Sequence, residues 1–417
     1  MRKCRRFGWA RWAALLPVAL VVGGWLTLAA PAAGEPATAP ADTGAAVPQR
    51  DIFDVVQEVL KGPRLEPEVA MMPVAGLSWT ALPSLSYNPL FGFAFGVSAN
   101  GAGPLGDPGR TRISALSLGG NYSTTGQVQA QVRGDMFLSG NQLLLRIDGR
   151  YLDTSRPTWG LGPAEAGQQE YQMDYRMIRA YCTALWEVGE AVYAGIGYHR
   201  DDFFDIVDER ALASESTPYA EYNGGPVESA RSSGLSVNLV NDERDNPVNP
   251  RRGYYLGTSF RAYSQDGGRG AWQEMLAEFR AYPHVPSGSR NRLAFWVQTW
   301  LSFGKTPYLN LPHVGGDTYS RSGRGYVLGR IRAQNLASAE VEYRFDLRRD
   351  GLLGAVAFLS MTGATVPETG VFGRVDRAGG AGLRIKFNKT SDTNLTIDAG
   401  WGEHGSFGWF LGTTEAF

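Results

Sequence analysis

The sequence holds only two cysteines and four histidines in 417 residues, and its charges nearly cancel, with 40 Lys and Arg against 41 Asp and Glu. Each scarcity excludes something. Cys4 lies in a segment expected to be removed, so Cys182 is left as a single thiol and no internal disulfide can form. The histidines stand apart at 199, 284, 313 and 404, with no H-E-x-x-H or paired-cysteine spacing, so neither a metal nor any other cofactor is implied. A net charge of −1 without a basic patch gives no electrostatic case for nucleic acid. After residue 32 no apolar run approaches the roughly 20 residues that a membrane-spanning helix needs. A mature chain in a membrane would have to cross it as strands.

What is present begins with Arg2, Lys3, Arg5, Arg6 and Arg11, followed by an apolar run from Ala13 to Ala30. This reads as a secretory signal peptide over residues 1–32, with Ala30-Pro31-Ala32 as the cleavage site. Residues 33–50 are rich in Ala, Pro and Thr and cannot bury enough surface to fold, so they read as a disordered linker. Residues 51–62, DIFDVVQEVLKG, place Ile52, Val55, Val56, Val59 and Leu60 at helical spacing and predict a short amphipathic helix, periplasmic once the chain is exported.

From residue 72 to the end the hydrophobic period is two. Gln127, Gln129, Gln131, Arg133 and Asp135 alternate with Val128, Ala130, Val132, Gly134 and Met136. Ala337, Ala339, Val341, Tyr343 and Phe345 alternate with Glu340, Glu342, Arg344 and Asp346, and Leu395, Ile397, Ala399 and Trp401 with Thr396 and Asp398. A soluble sandwich would alternate too, but its strands are shorter, about 5 or 6 residues. Strands of about 10 residues or more, with aromatics near their ends and a signal peptide ahead, fit an all-β fold: a transmembrane antiparallel β-barrel. Starts near 76, 92, 111, 127, 142, 171, 191, 229, 253, 271, 290, 337, 352, 378, 393 and 407 give roughly 16 strands, an even number as bacterial barrels require. Tight turns such as Gly140-Asn141 alternate with long connections near 154–170, 205–228 and 304–336, so both termini should face the periplasm.

Residues 241–256 read NDERDNPVNPRRGYYL, and residues 315–332 read GGDTYSRSGRGYVLGRIR. Together they resemble the BamA/TamA superfamily of outer-membrane assembly and translocation barrels, also called bacterial surface antigens. The first is similar to the family's D-x-R-D-N-P-x-x-P-x-x-G element before a middle strand, here Asp242, Arg244, Asp245, Asn246, Pro247, Pro250 and Gly253. The second is similar to its R-G-[FY] motif on a loop folded into the lumen, here Arg324, Gly325 and Tyr326. The resemblance implies a Gram-negative-type outer membrane, with its lipid and lipopolysaccharide as surroundings and outer-membrane or exported proteins as clients. It also implies a lock in which Arg324 faces Glu342. The family's second acid, on the next strand, is absent from FLSMTG at 358–363, and Gly323 replaces the usual aliphatic residue. No periplasmic client-binding module fits before residue 72.

The inward row carries Arg133, Arg146, Arg150, Arg344, Arg348, Arg384 and Lys386 against Asp135, Asp148, Glu340, Glu342, Asp346 and Asp398, a balance that suits salt bridges and a plugging loop better than an ion-selective channel. No histidine is placed to activate a serine as a membrane phospholipase requires, so the chain is not read as an enzyme. The function expected is assistance to protein or lipid insertion or passage through a weak seam, since Pro83 interrupts the first strand and removes a pairing donor. The alternative is a gated pore or surface-exposed structural protein. Phe407, Trp409, Leu411, Thr413, Glu415 and Phe417 share one face of the last strand, so Trp409, Leu411 and Phe417 are expected to form a lipid-facing C-terminal insertion signal, with Glu415 near the membrane edge.

Overall fold

The computed structural model describes residues 48–60, 76–88, 92–107, 109–212, 215–246, 249–283, 291–318, 320–389, 392–412 and 415–417. The signal peptide, most of the linker, the residues from 61 to 75, and Pro247, His284 and Thr413 lie outside them.

A helix, α1 (Ile52–Leu60), precedes the sheet. The Asp51 carboxylate caps it, accepting the backbone N–H groups of Phe53 and Asp54 at 3.1 Å each. Phe53 packs edge-on against Phe387 at 5.2 Å, and Lys389 Nζ reaches the Asp54 carboxylate at 2.7 and 2.8 Å.

Sixteen strands follow among the described residues: β1 (Ser78–Asn88), β2 (Gly92–Pro104), β3 (Ile113–Ser123), β4 (Val128–Leu138), β5 (Leu143–Thr158), β6 (Tyr171–Gly189), β7 (Val192–Asp208) and β8 (Ala230–Asp242). The second half contains β9 (Gly253–Gln265), β10 (Ala271–Tyr282), β11 (Arg292–Gly304), β12 (Asn335–Asp346), β13 (Leu353–Thr365), β14 (Phe372–Asn388), β15 (Thr393–Gly402) and β16 (Phe407–Gly412). Each pairs antiparallel with its sequence neighbour, so the sheet order is the chain order and β1 and β16 stand at its two ends. Pro83 does not break β1, whose register with β2 continues on both sides of the Pro83 to Val97 pair.

The starts lie close to those expected, with one exception: β14 begins at Phe372, not near 378. In its first turn-proximal stretch, FGRVDR, charged residues fall on both faces and erase the alternation. Elsewhere the period is plain in the burial. Leu235, Val237 and Leu239 of β8 are 68%, 60% and 42% exposed, while Ser236 between them is 4% exposed. An outer wall of this kind would drive aggregation in water and is at home against hydrocarbon. No described helix is long and apolar enough to cross a membrane.

The inner face is polar and paired. Arg146 binds Asp135 in a two-pronged bridge at 2.8 Å, and Arg150 Nη2 reaches Asp148 at 2.5 Å. The sheet curls around the connection between β11 and β12. That loop's Tyr308 hydroxyl meets Thr158 of β5 at 2.6 Å and its Asn310 donates to Asp201 of β7 at 3.2 Å. Tyr308, Leu309 and Leu311 join Leu152, Met173, Met177 and Phe203 in an apolar cluster.

The end of the chain corrects the expectation for Glu415 and Phe417. Strand β16 is described over Phe407–Gly412, and residues 415–417 are not strand and lie inside the barrel, not on its lipid face. Glu415 is 6% and Phe417 3% exposed. The carboxylate of Glu415 accepts from Arg384 Nε at 2.8 Å and Asn394 Nδ2 at 2.7 Å, and the Phe417 ring lies 5.4 Å from that of Trp296. The lipid side offers an acid no partner, whereas the lumen offers two. Phe407, Trp409 and Leu411 do face outward in register with Trp401, Ala399 and Ile397.

Candidate functional site

The loop between β11 and β12 carries Arg324, 1% exposed, into the lumen wall. Its guanidinium donates from Nε to Glu340 at 3.0 Å and from Nη1 to Asp398 at 2.8 Å, and its Nη2 binds both Glu340 and Glu342. Glu340 and Glu342 share the inner row of β12, and Asp398 comes from β15. The plane of the guanidinium sits over the Phe358 ring of β13, 3.8 Å from its centroid. Three carboxylates therefore surround the guanidinium, two from β12 and one from β15.

These carboxylates are shared onward. Arg344 Nε reaches Glu342 at 2.5 Å, Arg384 Nη1 reaches Asp398 at 2.5 Å, and Arg384 Nε reaches Glu415. Arg321 of the same loop donates to the backbone carbonyl of Glu415. Arg321, Arg324, Arg344 and Arg384 thus meet Glu340, Glu342, Asp398 and Glu415, so the charges balance inside the wall. Such a network is weak evidence for net stability, because desolvation offsets most of the attraction. It fixes position, since a displaced arginine would find nothing equivalent.

Glycines seat the loop. Gly325 has φ +106°, and a Cβ there would lie 2.8 Å from Ala378 and 3.0 Å from the backbone of Trp401. From the other side, a Cβ on Gly400 would stand 2.8 Å from the Gly325 nitrogen and 3.2 Å from the Arg324 carbonyl carbon, and one on Gly402 would meet the Tyr326 ring at 2.7 Å. Tyr326 fills the place so cleared, donating to the Arg377 carbonyl at 2.8 Å and accepting from the Glu403 N–H at 3.1 Å. Gly323, where the resemblance leads one to expect an aliphatic residue, has φ +69° and lies against Val314. Substituting Gly400 with valine should push the loop off its seat and cost about 1–3 kcal/mol. Faster protease cleavage within residues 305–334 would register it, while Ala399→Val on the outer face should leave the rate unchanged.

The second motif lies at the opposite end of the strands, in the β8–β9 turn. Asp242 accepts from Arg244 at 2.9 Å (Nε) and 2.8 Å (Nη2), and Asp245 accepts the backbone N–H of Arg251 at 2.9 Å. Asn246 accepts the Asn249 N–H at 3.3 Å, Pro250 is buried, and Gly253 has φ +94° with the Glu243 carbonyl where a Cβ would go. Arg251 and Asn249 reach across to Asp392, at 2.7 and 3.1 Å, in the β14–β15 turn. The two motifs do not meet.

With this geometry in view, the comparisons with known proteins divide. No family model matches the sequence, and no curated protein matches it either. Among solved structures, BamA from Haemophilus ducreyi lacking POTRA domains 1–3 aligns over 80% of this chain and 69% of its own, at 14% identity and a TM-score of 0.51. The chain has the BamA barrel fold. CdiB from Acinetobacter baumannii aligns over 81% of this chain and 58% of its own, at 10% identity and a TM-score of 0.46. At such identities the likeness to BamA is one of fold, and Arg324 and its acids stand on their own geometry.

Two constellations escaped the sequence. His199 Nε2 lies 2.8 Å from Ser236 Oγ, yet His199 Nδ1 is buried without a partner and Asp201 turns to Arg179, Tyr181 and Asn310. The pair lacks the orienting acid of a hydrolase triad. Asp376, Glu403 and His404 converge where β14 begins and β15 ends, but Arg374 Nη2 lies among them, 2.9 Å from Asp376 and 2.6 Å from His404. Cross-strand register assembles both groups, and no sequence spacing announces them.

Proposed function

We propose that this chain is an outer-membrane barrel that assists insertion or passage of proteins at the seam between β1 and β16, with the luminal loop held in place by Arg324. The observation that carries the reading lies at the sheet ends: among the described residues β1 pairs with β2 and β16 with β15, and no ladder joins β1 to β16. An edge strand without a partner leaves N–H and C=O groups without a ladder, and Pro83 in β1 has no N–H to donate. The fold shared with BamA supports the same reading. In this reading a signal peptide directs export, α1 and the short turns lie in the periplasm, and lipid and lipopolysaccharide surround the outer wall. A lumen filled by the loop disfavours a permanently open pore, so planar bilayers should be silent until residues 315–332 are deleted.

The direct test is covalent. Cysteine pairs scanned between β1 and β16, in a Cys182→Ser background because Cys182 is exposed and free, would lock the seam on oxidation. Oxidation should abolish capture of client barrels or exported proteins, and reduction should restore it. Unchanged capture with the seam fully cross-linked would sink the proposal.

A further inference from the structure

Most lumen-facing arginines named above meet a carboxylate; among the described residues Arg156 and Arg332 have none in reach and line one cavity together. Arg156 near the end of β5 and Arg332 at the foot of the luminal loop line, with Thr158, Tyr175 and His313, a largely enclosed cavity of about 20 Å³. Arg332 is 5% exposed, donates from Nη1 to the Tyr308 carbonyl at 2.9 Å and stands 5.1 Å over the Tyr308 ring. Its Nε is buried without an acceptor, as is the Nε of Arg156, and neither side chain has an ion pair among the described residues. His313 donates Nδ1–H to the Leu311 carbonyl at 2.8 Å. Burial first, then the Arg332 guanidinium with Arg156 and Arg179 behind it, holds its imidazole well below the usual range.

Two converging cations around a closed space, without a nearby acid, leave a positive potential that burial makes costly. The three-acid lock shows how this wall treats an arginine that the protein itself neutralises. The cavity volume decides what else can do so. It admits one small, nearly spherical occupant and is too small for a phosphate or carboxylate group with its substituents.

We propose that this cavity binds a single halide-sized inorganic anion, chloride under ordinary conditions, between Arg156 and Arg332, and thereby pins the foot of the luminal loop to β5. The proposal does not depend on the seam.

The test uses the full chain purified in detergent, with sodium chloride compared to sodium gluconate at equal ionic strength. Protease cleavage within residues 305–334 should slow about tenfold when chloride exceeds its dissociation constant by about ten, as expected for a ligand of the closed form alone. Bromide should replace chloride and appear as an anomalous scatterer between the two arginines, whereas gluconate and sulfate should not protect. Arg332→Gln, or Arg156→Gln at the less buried partner, should abolish the chloride dependence, and Arg330→Gln should keep it. Equal cleavage rates in chloride and gluconate, or chloride protection that survives Arg156→Gln, would overturn the proposal.

Discussion

Replacing Arg324 with alanine should release the luminal loop and cost about 3–5 kcal/mol, the range for removing one partner from a buried ion network. The reason lies in what stays behind. Glu342 keeps Arg344 and Asp398 keeps Arg384, but the hydrogen bonds to Glu340 come from Arg324. An acid that is 6% exposed would then lie in the wall without its cation. Arg324→Lys should recover only part of the loss, because an ammonium cannot present the planar fork that spans Glu340, Glu342 and Asp398. The informative variant is double. Arg324→Met with Glu340→Gln removes one charge of each sign and should be less damaged than Arg324→Met alone, a non-additivity of about 0.5–3 kcal/mol expected within one network. Protease cleavage within the loop and bilayer conductance would both rise in Arg324→Ala. Rates equal to those of the unaltered chain would show that the lock does not hold the loop.

The strands were readable because an inside and an outside face impose a period of two that no loop chemistry imitates, and β8 shows it residue by residue. The reading failed at β14, where Arg374 and Asp376 lie on one face and Arg377 on the other, so the two faces become alike. Arg324 and its contact with Glu342 were expected only through the family resemblance carried by Arg324-Gly325-Tyr326, with Glu342 on the inward row of β12. Glu340 and Asp398 were assigned to the inner row but not to Arg324, since Asp398 lies three strands away and only curvature and register bring it back. Gly400 and Gly402 point the same way. In sequence they look like blanks in the inward row that Thr396 and Asp398 begin, and in space they are the floor on which Gly325 and Tyr326 rest.

The inward turn of residues 415–417 leads to the second large effect. Glu415→Ala together with Phe417→Ala should loosen the luminal loop, although neither residue belongs to it. Glu415 is bound through its carboxylate by Arg384 and through its carbonyl by Arg321 of the loop, while the Phe417 carbonyl accepts from Arg344 Nη2 at 2.8 Å. Phe417 also closes a cluster with Tyr282, Ala294 and Trp296 at the inner face of β10 and β11. Losing the Glu415 carboxylate strips an acceptor from Arg384 and Asn394 and a counter-charge from Arg344, and losing the Phe417 ring adds about 3–5 kcal/mol for an aromatic truncated in a packed cluster. If segment and loop are one unit, the effects of Glu415→Ala and Arg324→Ala on loop cleavage should be strongly non-additive, because each removes a charge that the other's partners share. Strictly additive effects would mean that the segment and the loop fill the lumen independently. The same pair separates two roles for the chain end. A variant that still reaches the membrane, but with its loop exposed to protease, assigns Glu415 and Phe417 to holding the lumen shut and leaves the outward Trp409 and Leu411 as the part of β16 that meets lipid.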